Sequence, residues 1–530
     1  MESKYYLTVG LEIHAELKTK TKMFCDSPND PNESCPNVNI CPICMGHPGT
    51  LPAINKEAVR HVLRVGVALG GELADFTEFD RKNYFYPDIP KGYQLSQYKY
   101  PLVKGGSLNG VAITRVHLEE DTGTLIHTES NREGFFPHLS ASVPHSSASL
   151  VDFNRAGVPL MELVTEPVIH SPKQASDFAR ELQLTLRYLG ASDANMEKGE
   201  MRIEANISVR TEIADERGLN ADQRGREKTD DPSQRLSAFS PRQSAPLGPK
   251  VEVKNLNSFR SLEKAIEYEI LRQSELLDKG EKVAQETRGW DDANQKTFSQ
   301  RAKEESHDYR YFPEPDLPKL YISEIPEFSV DKLLTGLPEL PTSRRRRYER
   351  DFGIKISDIE VLVVDQTMGA FFDLVMKEVN DDKNIASLSA SYITSDLIGL
   401  LKNLSSKNIQ NSKDLGMFPV PPSDFAELMK MVFAEELSSR ATKDILTLIL
   451  TNGGNPRKIA TERGLLQKSD EGELRRFAES LVGDYPKVVA EYRLGKVASL
   501  QFLIGQGMKK SGGAANPAVL RKILEEILAQ

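Results

Sequence analysis

The segment Leu7-Thr8-Val9-Gly10-Leu11-Glu12-Ile13-His14-Ala15-Glu16-Leu17 is apolar at its odd positions and not at its even ones, the period of a strand with one buried face. Glu12 and His14 therefore share the open face. The same alternation over 201–209 sets Arg202, Glu204, Asn206 and Ser208 against an apolar side, and Val251 and Val253 stand opposite Lys250, Glu252 and Lys254. It recurs more weakly over 111–120, where Arg115, His117 and Glu119 line one face and Glu120 and Asp121 follow at the strand end. Carboxylates with an imidazole are donors suited to Mg2+ or Mn2+, which bridge to nucleotide phosphates. Phosphoryl transfer asks mainly for positioning and charge neutralisation, so ATP is a sensible guest for such a face. An ordinary solvated face also carries charges of both signs, and for any single strand that reading stands. Recurrence of carboxylates beside a histidine is what favours chemistry.

A second set is the run Phe79-Asp80-Arg81-Lys82-Asn83-Tyr84-Phe85-Tyr86-Pro87-Asp88, with Lys91-Gly92-Tyr93-Gln94 behind it. Cations interleaved with aromatics bind phosphate and stack bases, or else form a surface strand with its tyrosines packed on one side. The polar turn at Asn154-Arg155 is weaker on its own. All four cysteines, Cys25, Cys35, Cys41 and Cys44, fall within 25–44, the last two as a CxxC pair. That matches the ligand count of a tetrahedral structural zinc, with free thiols as the alternative and His47 as a spare donor. The chain has no GxxxxGK[ST] loop, dinucleotide fingerprint, GxSxG elbow or kinase HRD and DFG set, and no Gly-Gly-Ser-Ser-Gly-Gly pattern of the serine amidases. Nothing in it obviously hydrolyses glutamine.

These side chains need a sheet behind them. Over the first three hundred residues the pattern is β-rich, interrupted by amphipathic helices expected at 55–69, 172–189 and 261–279, with Ser171-Pro172 as cap and first helical position. Residues 212–249 read as a solvated insertion loop, and Tyr309–Pro341, with six prolines, as a linker or extended wrap rather than a core element. From Ser343 onward the chain turns helical, and its last helix is capped by Asn516 with Pro517 at the first position. The run Arg344-Arg345-Arg346-Arg347 is either a phosphate contact or a solvated helix start. The expected class is α+β.

The 530 residues carry 68 Lys+Arg against 77 Asp+Glu, a net charge of −9, which excludes sequence-blind coating of nucleic acid by basic excess. Residues 406–530 hold 18 Lys+Arg and 15 Asp+Glu, a net of +3, so the acid lies elsewhere. No apolar run approaches the roughly 20 residues that span a bilayer, and no secretory signal pattern opens the chain, so a cytoplasmic protein without membrane contact is expected.

Several stretches together resemble the GatB family, the B component of the GatCAB-type aspartyl/glutamyl-tRNA(Asn/Gln) amidotransferase. They are VGLEIH at 9–14, FDRKNYFYPD at 79–88, GYQLSQ at 92–97, HLEEDTG at 117–123, VDFNRAGVPLMELVTEP at 151–167, MRIEANISVR, VEVKNLNSFRS, ETRGW at 286–290 and HDYRYFPEPDLP at 307–318. They run in order along essentially the whole chain. Glu204 departs from the Asp of many members, the 212–249 insertion is longer than usual, and the CxxC segment occurs in only some members. The resemblance implies a β-rich cradle with an antiparallel sheet (1–325), an all-α connector (326–405) and an all-α YqeY-like tail that binds tRNA (406–530). It implies a ligase of protein biosynthesis that uses ATP and Mg2+ to phosphorylate the side-chain carboxyl of Glu-tRNA(Gln), and of Asp-tRNA(Asn). Ammonia from a partner amidase, the A component of GatCAB, then displaces the phosphate, with the small C component completing a heterotrimer. Glu12, His14, Glu119, Glu120 and Glu204 are the expected metal ligands. With Glu12, His14, Glu119 and Glu120, Lys82 and Tyr84 make up the expected catalytic set. Arg81, Arg155, Lys254 and Asn255 are expected at the ATP and acyl end, and Cys25, Cys35, Cys41 and Cys44 at zinc. A tRNA-binding scaffold without catalysis, and a zinc-dependent nucleic-acid-binding protein, are the competing readings.

Overall fold

The computed structural model describes residues 5–30, 32–127, 149–211, 248–302, 309–405, 419–467, 471–511 and 515–529. Most of the expected insertion, 212–247, lies outside the described residues. The chain divides into two compact units, Met1–Leu340 and Pro341–Gln530.

Ten strands form the main path of the first unit's sheet: β1 (Tyr5–Glu16), β2 (Asp80–Asn83), β3 (Tyr93–Ser96), β4 (Val111–Glu120), β5 (Pro159–Thr165), β6 (Met201–Thr211), β7 (Val251–Leu256), β8 (Glu286–Asp291), β9 (Lys296–Ala302) and β10 (Phe312–Pro313). Their spatial order is β9-β8-β7-β6-β1-β5-β4-β3-β2-β10. All neighbours along this path are antiparallel except β7 and β8, which run parallel because a helix, Phe259–Asp278, makes the crossover between them. β1 is central, paired with β5 on one side and β6 on the other.

Helices α1 (Lys56–Ala68), α2 (Pro172–Tyr188) and α3 (Phe259–Asp278) bring buried apolar stripes to one side of this sheet. Val9, Leu11, Ile13 and Ala15 of β1 join Val62, Phe178, Leu182 and Ile266 in one core. Each helix starts where the residue types predict. The Ser171 hydroxyl accepts from the Gln174 amide ahead of Pro172, and the Asn55 side chain accepts from the amides of Glu57 and Ala58.

The proline-rich stretch is more than a wrap. Phe312 and Pro313 pair with β2, Leu320 and Tyr321 pair with Phe76 and Thr77, and Leu317, Ile322, Phe328 and Leu333 are buried in the sheet's core. Prolines limited its hydrogen bonding, not its burial.

The second unit is helical throughout its described residues. In helix Pro341–Phe352, Tyr348 packs against Phe352 and Phe372 and donates its hydroxyl to the Gly369 carbonyl at 3.2 Å. The arginine run lies on this helix. Arg344 and Arg347 pair with Asp373, Arg345 pairs with Glu360, and Arg346 is exposed. Residues 474–528 hold a small core of their own, and Asn516 caps the last helix through the amides of Ala518 and Val519.

Candidate functional site

The sheet's register builds a row of polar side chains across four strands. His14 of β1 is directly opposite Arg202 of β6 and Glu162 of β5, and Glu162 is opposite His117 of β4. Cross-strand partners on one face stand about 5 Å apart, so the row is a contact chain. The adjoining row pairs Glu12 with Glu204. The side chains of β1's odd residues fill the core, so these even positions project from the face away from the helices.

His14 lies among three carboxylates: its Nε2 is 3.4 Å from Glu162, 3.5 Å from Glu119 and 3.8 Å from Glu12. His117 Nε2 is 3.5 Å from Glu162, and Arg115 reaches the same carboxylate at 3.4 Å. Burial opposes a charged His14, but the hydrogen bond and charge of Glu162, with Glu119 and Glu12, outweigh it and raise its pKa to about 9. Burial, then the Glu162 charge, raises Glu12 to about 7. His117 goes the other way, lowered by burial. Glu162 stays ionised despite burial because His117 and His14 hold it below the usual carboxylate range.

Glu12, His14 and Glu162 bring ligand atoms within 4.8 Å of one another, as do His117, Glu119 and Glu162. Glu119 Oε2 and His117 Nδ1 are buried without a hydrogen-bond partner. Two imidazoles, three carboxylates and uncompensated buried acceptor atoms fit a divalent cation.

Glu12, His14 and Glu119 thus come together as expected, and the structure adds Glu162 and His117. Glu120 and Glu204 do not join them. Glu120 projects from the opposite side of β4, where it pairs with Lys91 and accepts from the Leu95 amide at 2.9 Å. Neighbouring strand residues point to opposite faces, so Glu119 and Glu120 cannot both serve one cluster. Glu204 accepts from Lys254 through both oxygens at 2.9 and 2.8 Å, which also occupies that lysine. Asn255 is exposed, with φ of 63°, beside the register shift between β6 and β7.

Of the aromatic–basic run, Lys82 faces Glu119 and Glu162, and their charges overcome burial to raise its pKa. Tyr84 is kept a neutral phenol, first by burial. Tyr311 joins them from β10's approach, raised to about 12 by burial and by the same carboxylates. Arg81 is committed elsewhere: Nε and Nη2 grip Glu314 at 2.7 and 2.8 Å, and the guanidinium stacks 4.4 Å from the Tyr93 ring. Arg155 holds the carbonyls of Thr122 and Gly123.

The thiols of Cys25, Cys41 and Cys44 cluster, but Cys35 is exposed and outside the group. Its amide is held by Glu33 and its carbonyl by Asn154, which pins it away from the others. The buried Lys22 ammonium stands 3.9 Å from Cys44, and a hydrogen bond from Cys25 lowers Cys44 to about 5. Three thiols fit a zinc that takes its fourth donor from outside the cysteines. His47 lines the adjoining cavity of about 200 Å3.

Two family models match this chain, that of the GatB/GatE catalytic domain over residues 7–227 and 235–326 and that of the GatB domain over 370–528. The chain is 38% identical to the B subunit of aspartyl/glutamyl-tRNA(Asn/Gln) amidotransferase from Synechocystis sp., covering 100% of this chain and 99% of that one. It is 38% identical to the protein of the same name in Brevibacillus brevis and 39% to that in Thermomicrobium roseum, each alignment covering 99% of both chains.

Proposed function

The chain belongs to the GatB family, and on that premise we propose that it is the subunit that activates the side-chain carboxyl of Glu-tRNA(Gln), and of Asp-tRNA(Asn), with ATP for amidation by ammonia. The observation that carries this reading is the gathering of Glu12, His14, His117, Glu119 and Glu162 beside Lys82 on the sheet face away from the helices, with His117, Glu119 and Glu162 buried there.

A carboxylate resists attack by ammonia until one oxygen is made a leaving group. Transfer of the γ-phosphoryl group to that oxygen releases ADP, and ammonia then displaces phosphate at the acyl carbon, leaving the amide. Glu12, His14, Glu119 and Glu162 would hold the divalent ion, which when bound neutralises phosphate oxygens. Lys82, held protonated by Glu119 and Glu162, places a second cation on that side. Tyr84 and Tyr311 keep their phenolic protons; Tyr311 offers an O–H donor to the acyl end, and Tyr84, which donates to Gln94 Oε1 over a long 3.4 Å, can turn its own there. Burial of Glu119 and Glu162 keeps water from competing with these contacts.

Ammonia is delivered by a partner amidase, consistent with the missing serine-amidase pattern, and a small third protein completes the complex. Cys25, Cys41 and Cys44 would hold a structural zinc. The helical tail, mildly basic, contacts tRNA by shape. No helix among the described residues is long and apolar enough to cross a membrane. The proposed substrate, an aminoacyl-tRNA of protein synthesis, puts the proposed reaction in the cytoplasm.

The test is conversion of Glu-tRNA(Gln) and Asp-tRNA(Asn) by the reconstituted complex supplied with free ammonium. One ADP and one phosphate per amide formed supports the reading. Amide formation without ATP, or none at all, refutes it.

A further inference from the structure

Beside His14 the sheet face carries Arg202, to which no role has been given, and near it stands Arg155, which the family resemblance puts at the ATP and acyl end without saying what aims it. Arg202 is His14's direct cross-strand partner on β6, and Arg155 lies in the turn before β5. Both meet Asp121, the residue that follows β4 and is only 5% exposed. Asp121 Oδ2 accepts from Arg202 Nη2 at 2.8 Å and lies 3.6 Å from Arg155 Nε, while Oδ1 accepts from the Thr122 amide at 2.8 Å. Arg155 is fixed again by donating Nε to the Thr122 carbonyl at 3.1 Å and Nη2 to the Gly123 carbonyl at 2.9 Å.

The pair is rigid but not saturated. Arg202 makes one hydrogen bond, which leaves Nε and Nη1 uncommitted, and Arg155 leaves Nη1. The two side chains keep 32% and 31% of their surface exposed. Contrast the Glu269 network behind the sheet, where Arg272 and Arg288 close on Glu269, Glu286 and Thr297. Asp121, with the buried Glu16 carboxyl hydrogen-bonded to it, orients two guanidinium groups yet leaves their outer N–H groups open, a fork suited to phosphate oxygens.

We propose that Arg202 and Arg155 bind the phosphate oxygens of the nucleotide, and that Asp121 is the positioning residue that aims them. This deepens the reading of the chain as an ATP-dependent transamidase and rests on it. The nucleotide, rather than the RNA backbone, is the favoured source because Arg202 is the direct cross-strand neighbour of His14 in the carboxylate cluster, their backbones about 5 Å apart. A polyphosphate drawn to a cation at that cluster lies within reach of the fork.

The experiment uses the reconstituted complex and measures equilibrium affinity for Mg-ATP and for inorganic tripolyphosphate, with KM for ATP and for Glu-tRNA(Gln) determined separately. Arg202→Gln weakens both phosphate ligands by about tenfold or more, as expected for loss of charge-assisted hydrogen bonds. Arg202→Lys, which keeps the charge and fits the same site, recovers only part of the affinity. Asp121→Asn raises KM for ATP more than it lowers kcat and leaves KM for the tRNA unchanged. ATP and tripolyphosphate affinities within twofold of wild type in Arg202→Lys and Arg202→Gln overturn the proposal, as does an effect confined to the tRNA, which would assign the fork to the RNA backbone. Should Arg202→Gln lose the wild-type thermal transition, Arg202→Lys decides alone. If the wild-type complex forms no ATP-dependent amide, the functional reading falls while tripolyphosphate binding still judges the arginines.

Discussion

Glu162 sits between His14 and His117 with Arg115 at its edge, and replacing it by Gln removes the charge while keeping the shape. His14 is carried from 6.5 to about 9, against burial, by its carboxylates, and Glu162 is the largest of those favourable causes. Each tenfold change in proton affinity is worth about 1.4 kcal/mol, so the net shift, after burial has been overcome, corresponds to about 3 kcal/mol, with Glu162 its largest favourable source. Because the folded-state pKa of His14 is raised, this stabilisation is fully present below pH 6.5 and is lost as the pH climbs through about 9. Glu162→Gln should therefore be less stable than wild type by about 1 to 2 kcal/mol at pH 6 from this coupling, with the gap narrowing by pH 10. Trp290 is the chain's one tryptophan and lies buried on β8 of the same unit, so its fluorescence during urea unfolding in chelator follows this sheet and not the helical unit. Parallel wild-type and variant stabilities from pH 6 to pH 10 would refute the electrostatic account.

Glu12→Gln should abolish high-affinity Mn2+ binding measured by titration calorimetry while Glu120→Gln preserves it; equal losses would put Glu120 back in the cation cluster. Protein purified without chelator should contain zinc that Cys44→Ser removes and Cys35→Ser retains, read by elemental analysis, and loss in both would restore the four-cysteine site. Arg81→Ala strands the Glu314 side chain, which is 1% exposed, and should cost about 3 kcal/mol of unit stability by the same Trp290 signal. Truncation after Ser405 should weaken tRNA binding in a filter assay and leave Mg-ATP affinity unchanged, and an unaltered tRNA affinity would remove the tail from recognition.

Much of this was legible because local rules decided it. The period-two strands at 7–17 and 201–209 pair with each other, and the helices expected at 172–189 and from Asn516 start at the caps that Ser171 and Asn516 supply. The weak alternation over 111–120 has a specific cause. The pairing of β4 with β5 slips between Val164 and Thr165, so Ile113 and Val116 are both core residues although their positions differ in parity. Past that slip the odd residues Arg115, His117 and Glu119 face the cluster, as expected, and Glu120 faces the core beside Val116 and Leu118. Arg81 misled for another reason. Its partner Glu314 lies 233 residues away, in a stretch whose prolines suggest a linker, and no local pattern reports such a pairing.

Glu162 is the instructive omission, because its neighbours concealed it. In Leu160-Met161-Glu162-Leu163-Val164 the glutamate stands in a strand that is buried on both faces, and such a run reads as plain core. Yet a lone ionised carboxylate cannot be buried there without partners, since its desolvation would exceed what a marginally stable fold supplies. The charge therefore demanded cationic neighbours from other strands, and the imidazoles with compatible strand parity, His14 and His117, were already visible. What the chain alone withheld was strand order: only when β5 lies between β1 and β4 do the two imidazoles flank one carboxylate. A cation cluster of this kind is a property of register. The charged residue in an apolar strand is the local sign that such a register exists.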